Sequence, residues 1–295
     1  MKIIRIEDIE VEHRTPKGRG GSNHHYAIIN PDRNGLDNFG LRMVEFDESF
    51  YSPRHHHNFA QYRYMLEGES DEAPEGKLKA GVLGFYPESA FYGPESGKPR
   101  KMLVLQFGAL CGAGLAGREQ MKNAIDALEK SGVFEDGKYR RNFGVEGKKV
   151  QDGFEAIWEY INQKSIEYPT PQYSRPILMD TSAFPWRPCK GAEGVEEKSL
   201  GTFTSARLRS ACYRLASGAR YSATGRGVYF ILAGSGSVAG RPYSPYTSIY
   251  VEEHEVGELT ASEQTEMLQL GLPTLDDMML PVEPLLHLRQ RSLIS

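Results

Sequence analysis

Three of the chain's eight histidines stand in a row, in Ser52-Pro53-Arg54-His55-His56-His57-Asn58-Phe59-Ala60-Gln61. The run is internal, which sets it apart from a terminal tag. It is followed by Tyr62-Arg63-Tyr64-Met65-Leu66-Glu67-Gly68, a strand-like stretch that closes in a turn. On an extended chain alternate side chains share a face. His55 and His57 then point one way and His56 the other, and two imidazoles at i and i+2 can reach one metal ion. Gln61 lies four residues beyond His57. That is enough for a tight turn and re-entry on a neighbouring strand, where its carbonyl oxygen would be a neutral, weak ligand. Two imidazoles with an oxygen suit iron, manganese, nickel, copper or zinc. The plainer alternative is a polar surface strand. Core filler explains three adjacent histidines poorly.

The rest of the chain must position these groups. It has 295 residues, 25% of them charged and 39% hydrophobic, with a net charge of −4. These are ordinary values for a globular protein. No basic surplus is available to neutralise a phosphate backbone, so no nucleic-acid partner is expected. No run approaches the roughly 18 apolar residues that cross a membrane. The stretch Met1 to Arg14 has no secretory core, and Cys111, Cys189 and Cys212 form no CxxC pair. A reducing, cytoplasmic setting is the expectation.

Most apolar runs are short and bounded by glycine and proline, the pattern of many short strands. Leu41–Phe46, Gln61–Leu66 and Lys101–Phe107 read as strands, and Lys79–Pro87 as a turn followed by one. The middle differs. Gly117–Ser131 and Val150–Lys164 carry apolar residues on one helical face, and Tyr168–Pro188 is a proline- and aromatic-rich connection. Strands return at Leu208–Leu215, Val228–Ala233, Thr247–Glu252 and Glu266–Leu272. Aligning Tyr64-Met65-Leu66-Glu67-Gly68 with Phe230-Ile231-Leu232-Ala233-Gly234 suggests an internal duplication. In that register Tyr221, Ala223 and Gly227 stand where His55, His57 and Gln61 do, so the second half keeps the strand and loses the polar candidates.

The histidine stretch resembles the first motif of the cupin superfamily, HxH, then a glutamate, then a strand ending in glycine. Here it reads His55-x-His57-x-x-x-Gln61 and ends at Gly68. The second cupin motif resembles Gly81-Val82-Leu83-Gly84-Phe85-Tyr86-Pro87-Glu88-Ser89-Ala90-Phe91-Tyr92, with Gln61 in place of the glutamate and Tyr92 in place of the motif's histidine. The whole chain resembles bicupins of the quercetin-dioxygenase-like type. The resemblance implies a mainly β fold of two double-stranded β-helix barrels with an intervening helical segment. Residues 1–110 would be the active N-terminal barrel with its arm, 111–200 the connection, and 201–295 a degenerate C-terminal barrel with a tail.

It further implies a divalent transition metal in the N-terminal barrel, on His55, His57 and Gln61, with Tyr92 as a phenolate ligand or an acid/base group. The neutral Gln61 would weaken such binding, and some cupins have lost the metal. Barrel alternation sends Arg63 inward with Gln61 and turns Tyr64 outward. Arg63 would either pair with Glu45 or Glu88 or serve as counter-ion to an anionic substrate. The implied activity is metal-dependent oxygenation of a small organic acid or phenol. The alternatives are a metal-free isomerase, lyase or dehydratase using Tyr92 and a histidine, or a binding cupin without turnover. A homodimer paired through exposed sheet edges is expected. His24 and His25 are weaker candidates for a barrel mouth. Gly108–Gly114 is a tight turn rather than a phosphate loop, and His254 sits in a solvated acidic turn.

Overall fold

Alternation within single strands decides the architecture. In Ala60–Glu67 the side chains of Tyr62 and Tyr64 are buried on one face, and those of Gln61, Arg63 and Met65 are buried on the other. A strand buried on both faces needs a cover on each side. The computed structural model, which describes residues 1–17, 19–31, 38–108 and 115–274, supplies both. Ala60–Glu67 lies near the centre of a seven-stranded antiparallel sheet. The order is Ile177–Asp180, Val82–Tyr86, Ala60–Glu67, Arg100–Phe107, Phe39–Phe46, Asn23–Ile29 and Val11–Arg14. A second seven-stranded sheet repeats the plan, with Lys2–Ile4, Ser248–Val251, Gly227–Ala233, Thr265–Gly271, Leu208–Leu215, Val195–Phe203 and Arg187–Pro188.

The two large sheets pack back to back. Tyr62, Tyr64, Phe85, Leu103 and Leu105 of the first meet Phe203, Leu208, Cys212, Phe230 and Leu268 of the second in one apolar cluster. Each fully buried side chain of this size contributes about 1.5–3 kcal/mol. Each sheet curls its other face around a barrel interior. In the C-terminal half the interior is closed by a four-stranded sheet, Arg220–Thr224, Val256–Ala261, Gly236–Val238 and Arg241–Tyr243. In the N-terminal half the equivalent wall is a hairpin, Glu69–Glu72 with Gly76–Lys79. Isolated bridges pair Ser52 with Glu95, His55 with Tyr92, and Asp71 with Ser96.

The repeat holds in detail at Gly68 and Gly234. Both adopt left-handed φ, +79° and +87°. A Cβ on Gly68 would meet the Pro99 carbonyl at 2.7 Å, and one on Gly234 would collide with the carbonyl of Gln264. Only glycine combines that φ with that approach.

The domain boundaries are less simple than the linear reading. Lys2–Ile4, expected in an N-terminal arm, is an edge strand of the C-terminal sheet, paired with Ser248–Val251. Reciprocally, Ile177–Asp180 from the connection is an edge strand of the N-terminal sheet, paired with Val82–Phe85. The strand Val195–Phe203 begins ahead of the expected boundary at 201. The connection holds two helices, Arg118–Leu128 and Gly153–Asn162, packed through Ala124, Leu128, Ala156 and Ile157. It also holds a three-stranded sheet, Gly132–Glu135, Lys138–Arg141 and Val150–Asp152, that the helical reading missed. The second helix was expected from Val150. It starts at Gly153 because the Asp152 side chain accepts from the Phe154 and Glu155 amides and caps it. Residues 109–114, with Cys111 and most of the glycine turn, lie outside the described residues.

Candidate functional site

The two motifs meet across one bridge. The His55 amide donates to the Tyr92 carbonyl at 3.1 Å, and the Tyr92 amide donates to the His55 carbonyl at 3.0 Å. His55 was expected on a regular strand, but among the described residues this bridge is its only ladder, and His57 lies outside any strand. Pro53 and Pro94 flank the bridge and have no amide hydrogen to extend it. The expected convergence still occurs. The His55 and His57 rings sit 4.8 Å apart, and His55 is 4.5 Å from the Tyr92 ring. His56 points away, stacked between Phe91 at 3.9 Å and Tyr168 at 3.7 Å. It lines a surface pocket rather than the barrel interior.

The His55 Nδ1 lies 2.7 Å from the Pro53 carbonyl oxygen. A carbonyl can only accept, so Nδ1 carries the proton and Nε2 presents a bare lone pair. Burial, with the charge of Arg19 next in weight, holds the His55 pKa well below the ordinary value. Burial does the same to His57, helped by His55, Arg19, Arg63 and Arg42. His57 is packed between Phe59 at 4.4 Å and Phe154 of the second helix at 4.5 Å, so the connection closes this end of the barrel.

Gln61 and Arg63 both face the interior, as alternation predicts. The Gln61 amide donates to the Tyr92 hydroxyl at 2.6 Å, and Arg63 Nη2 donates to the same oxygen at 3.1 Å. The guanidinium lies over the Tyr86 and Tyr92 rings, 4.6 and 4.7 Å from their centroids. Gly84, opposite Arg63 in the ladder, has no Cβ because one would strike the Tyr86 ring at 2.6 Å. The partners expected for Arg63 were Glu45 or Glu88. Its partners are Glu95 at 2.9 Å and Glu72 at 3.4 Å, while Glu45 pairs with Lys101. Glu95 also binds Arg100 at 3.1 Å, and the Tyr86 hydroxyl donates to Glu72. Burial opposes the charge on Arg63, but Tyr92, Glu95 and Glu72 outweigh it, and the group stays cationic. Burial raises the Tyr92 pKa and keeps the phenol protonated. Burial and the charge of Glu95 push Glu72 up to about 7 despite Arg63.

Sequence reasoning missed Glu72, Glu95, Tyr86, Arg42 and Gln106. Arg42 donates to Gln106 at 2.6 Å, and Gln106 donates to Gln61 at 3.2 Å. Of these, Arg42 and Gln106 were reachable through strand alternation, since both lie in strands read from sequence. Glu72 and Glu95 carried no local signal. The weaker candidates scatter. His24 is exposed and edge-on to His13 at 5.2 Å, His25 is half-buried, and His254 sits in an exposed turn. Cys212 packs between the sheets.

The donor set does not fit a tightly held divalent cation. Among the described residues no three His, Cys, Asp or Glu side chains converge as ligands. Of the expected four groups, His55 fits, but Gln61 and Tyr92 are neutral and both accept hydrogen bonds from a guanidinium. Glu72 and Glu95, the nearby carboxylates, are engaged by Arg63.

Comparison with protein-family models finds no match, and neither does comparison with curated proteins. The fold has clear relatives among known structures. A protein of Nostoc punctiforme described as a candidate dioxygenase superposes with a TM-score of 0.62 at 10% identity, covering 92% of this chain and 82% of that one. A Geobacillus kaustophilus protein gives 0.55 at 13% identity, covering 92% and 95%. The oxalate decarboxylase of Bacillus subtilis gives 0.52 at 12% identity, covering 92% and 76%. Taken with the two repeated seven-stranded sheets and the HxH bridge to the second motif, these likenesses show that the chain has the bicupin fold.

Proposed function

We propose that the N-terminal barrel binds a small organic acid or phenol and moves a proton on it without a resident metal, as an isomerase, lyase or dehydratase does. The observation that carries this reading is the Tyr92 hydroxyl, which accepts from both Gln61 and Arg63. With its lone pairs engaged, the phenol has its own proton to give, and the phenolate left behind is stabilised by a guanidinium and an amide. His55 beside it is a neutral ring with a bare Nε2, and a bound anion that offsets the nearby arginine charge would raise its basicity enough to take a proton from a carbon acid. Removal of that proton by His55 and delivery of the Tyr92 proton to the developing enolate oxygen gives a neutral enol. The enol then returns its O–H proton to the Tyr92 phenolate while His55 gives its proton back to carbon: to the same carbon for exchange, or to the conjugated carbon of an unsaturated substrate for an isomerisation. The likeness to a named dioxygenase and to a decarboxylase supports a cupin enzyme at the coarser level.

A metal-dependent oxygenase is the second reading, favoured by the free Nε2 of His55 close to His57. Elemental analysis of purified protein, before and after incubation with Fe²⁺, Mn²⁺, Ni²⁺, Cu²⁺ and Zn²⁺, separates the two. We expect well under one equivalent of metal. We also expect deuterium exchange at the α-carbon of small oxo acids, monitored by NMR, that falls at least a hundredfold in Tyr92→Phe. A stoichiometric redox metal required for turnover would overturn the acid/base reading. Pairing of two copies through an exposed sheet edge such as Val11–Arg14 belongs to the same proposal, and light scattering tests it.

A further inference from the structure

Among the described residues the charges inside the N-terminal barrel do not balance. Three guanidinia, Arg42, Arg63 and Arg100, face two carboxylates, Glu72 and Glu95. Both carboxylates are held by Arg63, and Glu95 also by Arg100. Arg42 is the group left over. Its strand position pairs with Val104, which pairs in turn with Arg63, so the two arginines share the interior face. Its one hydrogen bond among the described residues goes to Gln106, a neutral amide, and no carboxylate there lies within ion-pair distance of it. Other nearby cations are matched. Arg14 and Arg118 share Glu12, and Arg19 faces Asp152 at 4.0 Å. A half-buried guanidinium without a counter-charge is costly unless something arrives to pair with it.

The surroundings of Arg42 also have hydrogen-bonding capacity to spare. The Nδ1 atoms of His25 and His57 are buried with no hydrogen-bond partner among the described residues. His25 shares the interior face, two ladder pairs from the Ala27–Arg42 pair, and both rings feel the Arg42 charge. Arg42 is also joined to the proposed acid. It donates to Gln106, Gln106 to Gln61, and Gln61 to the Tyr92 hydroxyl.

We infer that Arg42 is the seat of the ligand's carboxylate, leaving Arg63 as a structural and phenol-stabilising group. The inference rests on the proposal that this barrel takes a small anionic molecule, and it names the anchor and the anion. A planar guanidinium matches a carboxylate through two parallel hydrogen bonds. With Glu72 ionised, the interior excess among the described residues is a single positive charge, which a carboxylate cancels and a dianionic phosphate would overshoot. The amide relay then sets the carboxylate at one end and the reacting carbon at the Tyr92–His55 end.

Calorimetric titration of the full chain with acetate, pyruvate, oxalate and benzoate, with inorganic phosphate as control, tests this. We expect saturable binding of at least one carboxylate, weakened at least tenfold in Arg42→Gln. We also expect Arg42→Gln to melt at or above the parent's temperature, since it removes an unpaired cation. Tyr92→Phe should bind the same carboxylate within about threefold of the parent while losing deuterium exchange. Carboxylate binding that Arg42→Gln leaves unchanged, binding of phosphate alone, or no carboxylate binding by the parent would each overturn the assignment. Binding that depends on Arg42 in a parent with no exchange activity would keep Arg42 as the anchor and remove the acid/base reading instead.

Discussion

The two barrels share one plan and differ in what fills them. The C-terminal interior is an apolar cluster that includes Val195, Ala211, Leu215, Ile231, Ile249 and Leu259, all buried. The N-terminal interior has a small apolar floor of Met65, Leu78, Val82, Met102 and Val104, and above it the arginine, carboxylate, phenol and histidine array. The register from Gly68 to Gly234 places Tyr229 at the position of Arg63 and Val238 at that of Glu72. Across the bridge, Tyr221 pairs with Leu259 as His55 pairs with Tyr92. The C-terminal barrel keeps some polarity near one end. Arg209, Tyr213, Gln269 and Tyr229 bond to one another, and Arg209 is also matched by Glu197. The walls differ in the same sense. The C-terminal barrel has a continuous five-pair ladder from Arg220 to Thr224, where the N-terminal one has separate bridges. The C-terminal half is packed dry around a continuous ladder. The other spends ladder regularity and dry packing on a buried polar site.

The sharpest way to break this contrast is to remove a shared carboxylate. Glu95→Ala leaves Arg63 and Arg100 short of a partner in the interior, and breaking a buried ion pair costs about 3–5 kcal/mol. A fall of that size in the urea unfolding free energy is expected, and a loss under about 1 kcal/mol would show the network to be dispensable.

The next test makes the N-terminal interior resemble its twin. Arg63→Met alone should lose about 3 kcal/mol, since it strands Glu72 and part of Glu95. The triple change Arg63→Tyr, Glu72→Val and Tyr92→Leu imports the C-terminal residues and keeps the Arg100–Glu95 pair. It should recover most of that loss while abolishing the proposed proton transfer. Thermal melts and deuterium exchange on the same samples check both halves of the expectation.

A third prediction uses pH. Glu72 has a folded pKa of about 7, above its ordinary value of 4.5. A raised acid binds its proton more tightly when folded, so its stabilisation is fully present below about 4.5 and is lost as pH rises through 7. The N-terminal barrel should weaken by about 1–3 kcal/mol between pH 5 and 8. In Glu72→Gln that slope should vanish, and an unchanged slope in calorimetric melts would reject Glu72 as its source.

The smallest effect concerns the exchanged edge strands. Deleting Met1–Ile4 removes three ladder pairs from the C-terminal sheet. It also removes Met1 and Ile3 from against that barrel's core. A loss of about 1–2 kcal/mol is expected. Hydrogen exchange should speed up in Ser248–Val251 and stay unchanged in Val82–Tyr86.

Much of this architecture is written in local pattern. Strand alternation sends Gln61 and Arg63 inward and Tyr64 outward, the His55–His57 spacing brings two rings together, and Gly68 and Gly234 mark the repeat. These follow from the two-residue period of extended backbone and from the steric freedom of glycine, which need no knowledge of the rest of the chain. The partners of Arg63 do not follow from it. Glu72 lies 9 residues away and Glu95 lies 32, on a hairpin and a bridge whose positions depend on how the sheet curls. The same holds for Arg42 and Gln106, 64 residues apart, and for the edge strands: Lys2–Ile4 joins the C-terminal sheet, and Ile177–Asp180 joins the N-terminal sheet from the connection. Backbone geometry fixes which way a side chain points, so sequence alone determined the inward-facing set. Which charges meet inside the barrel depends on contacts between distant strands, and only the tertiary structure decided them.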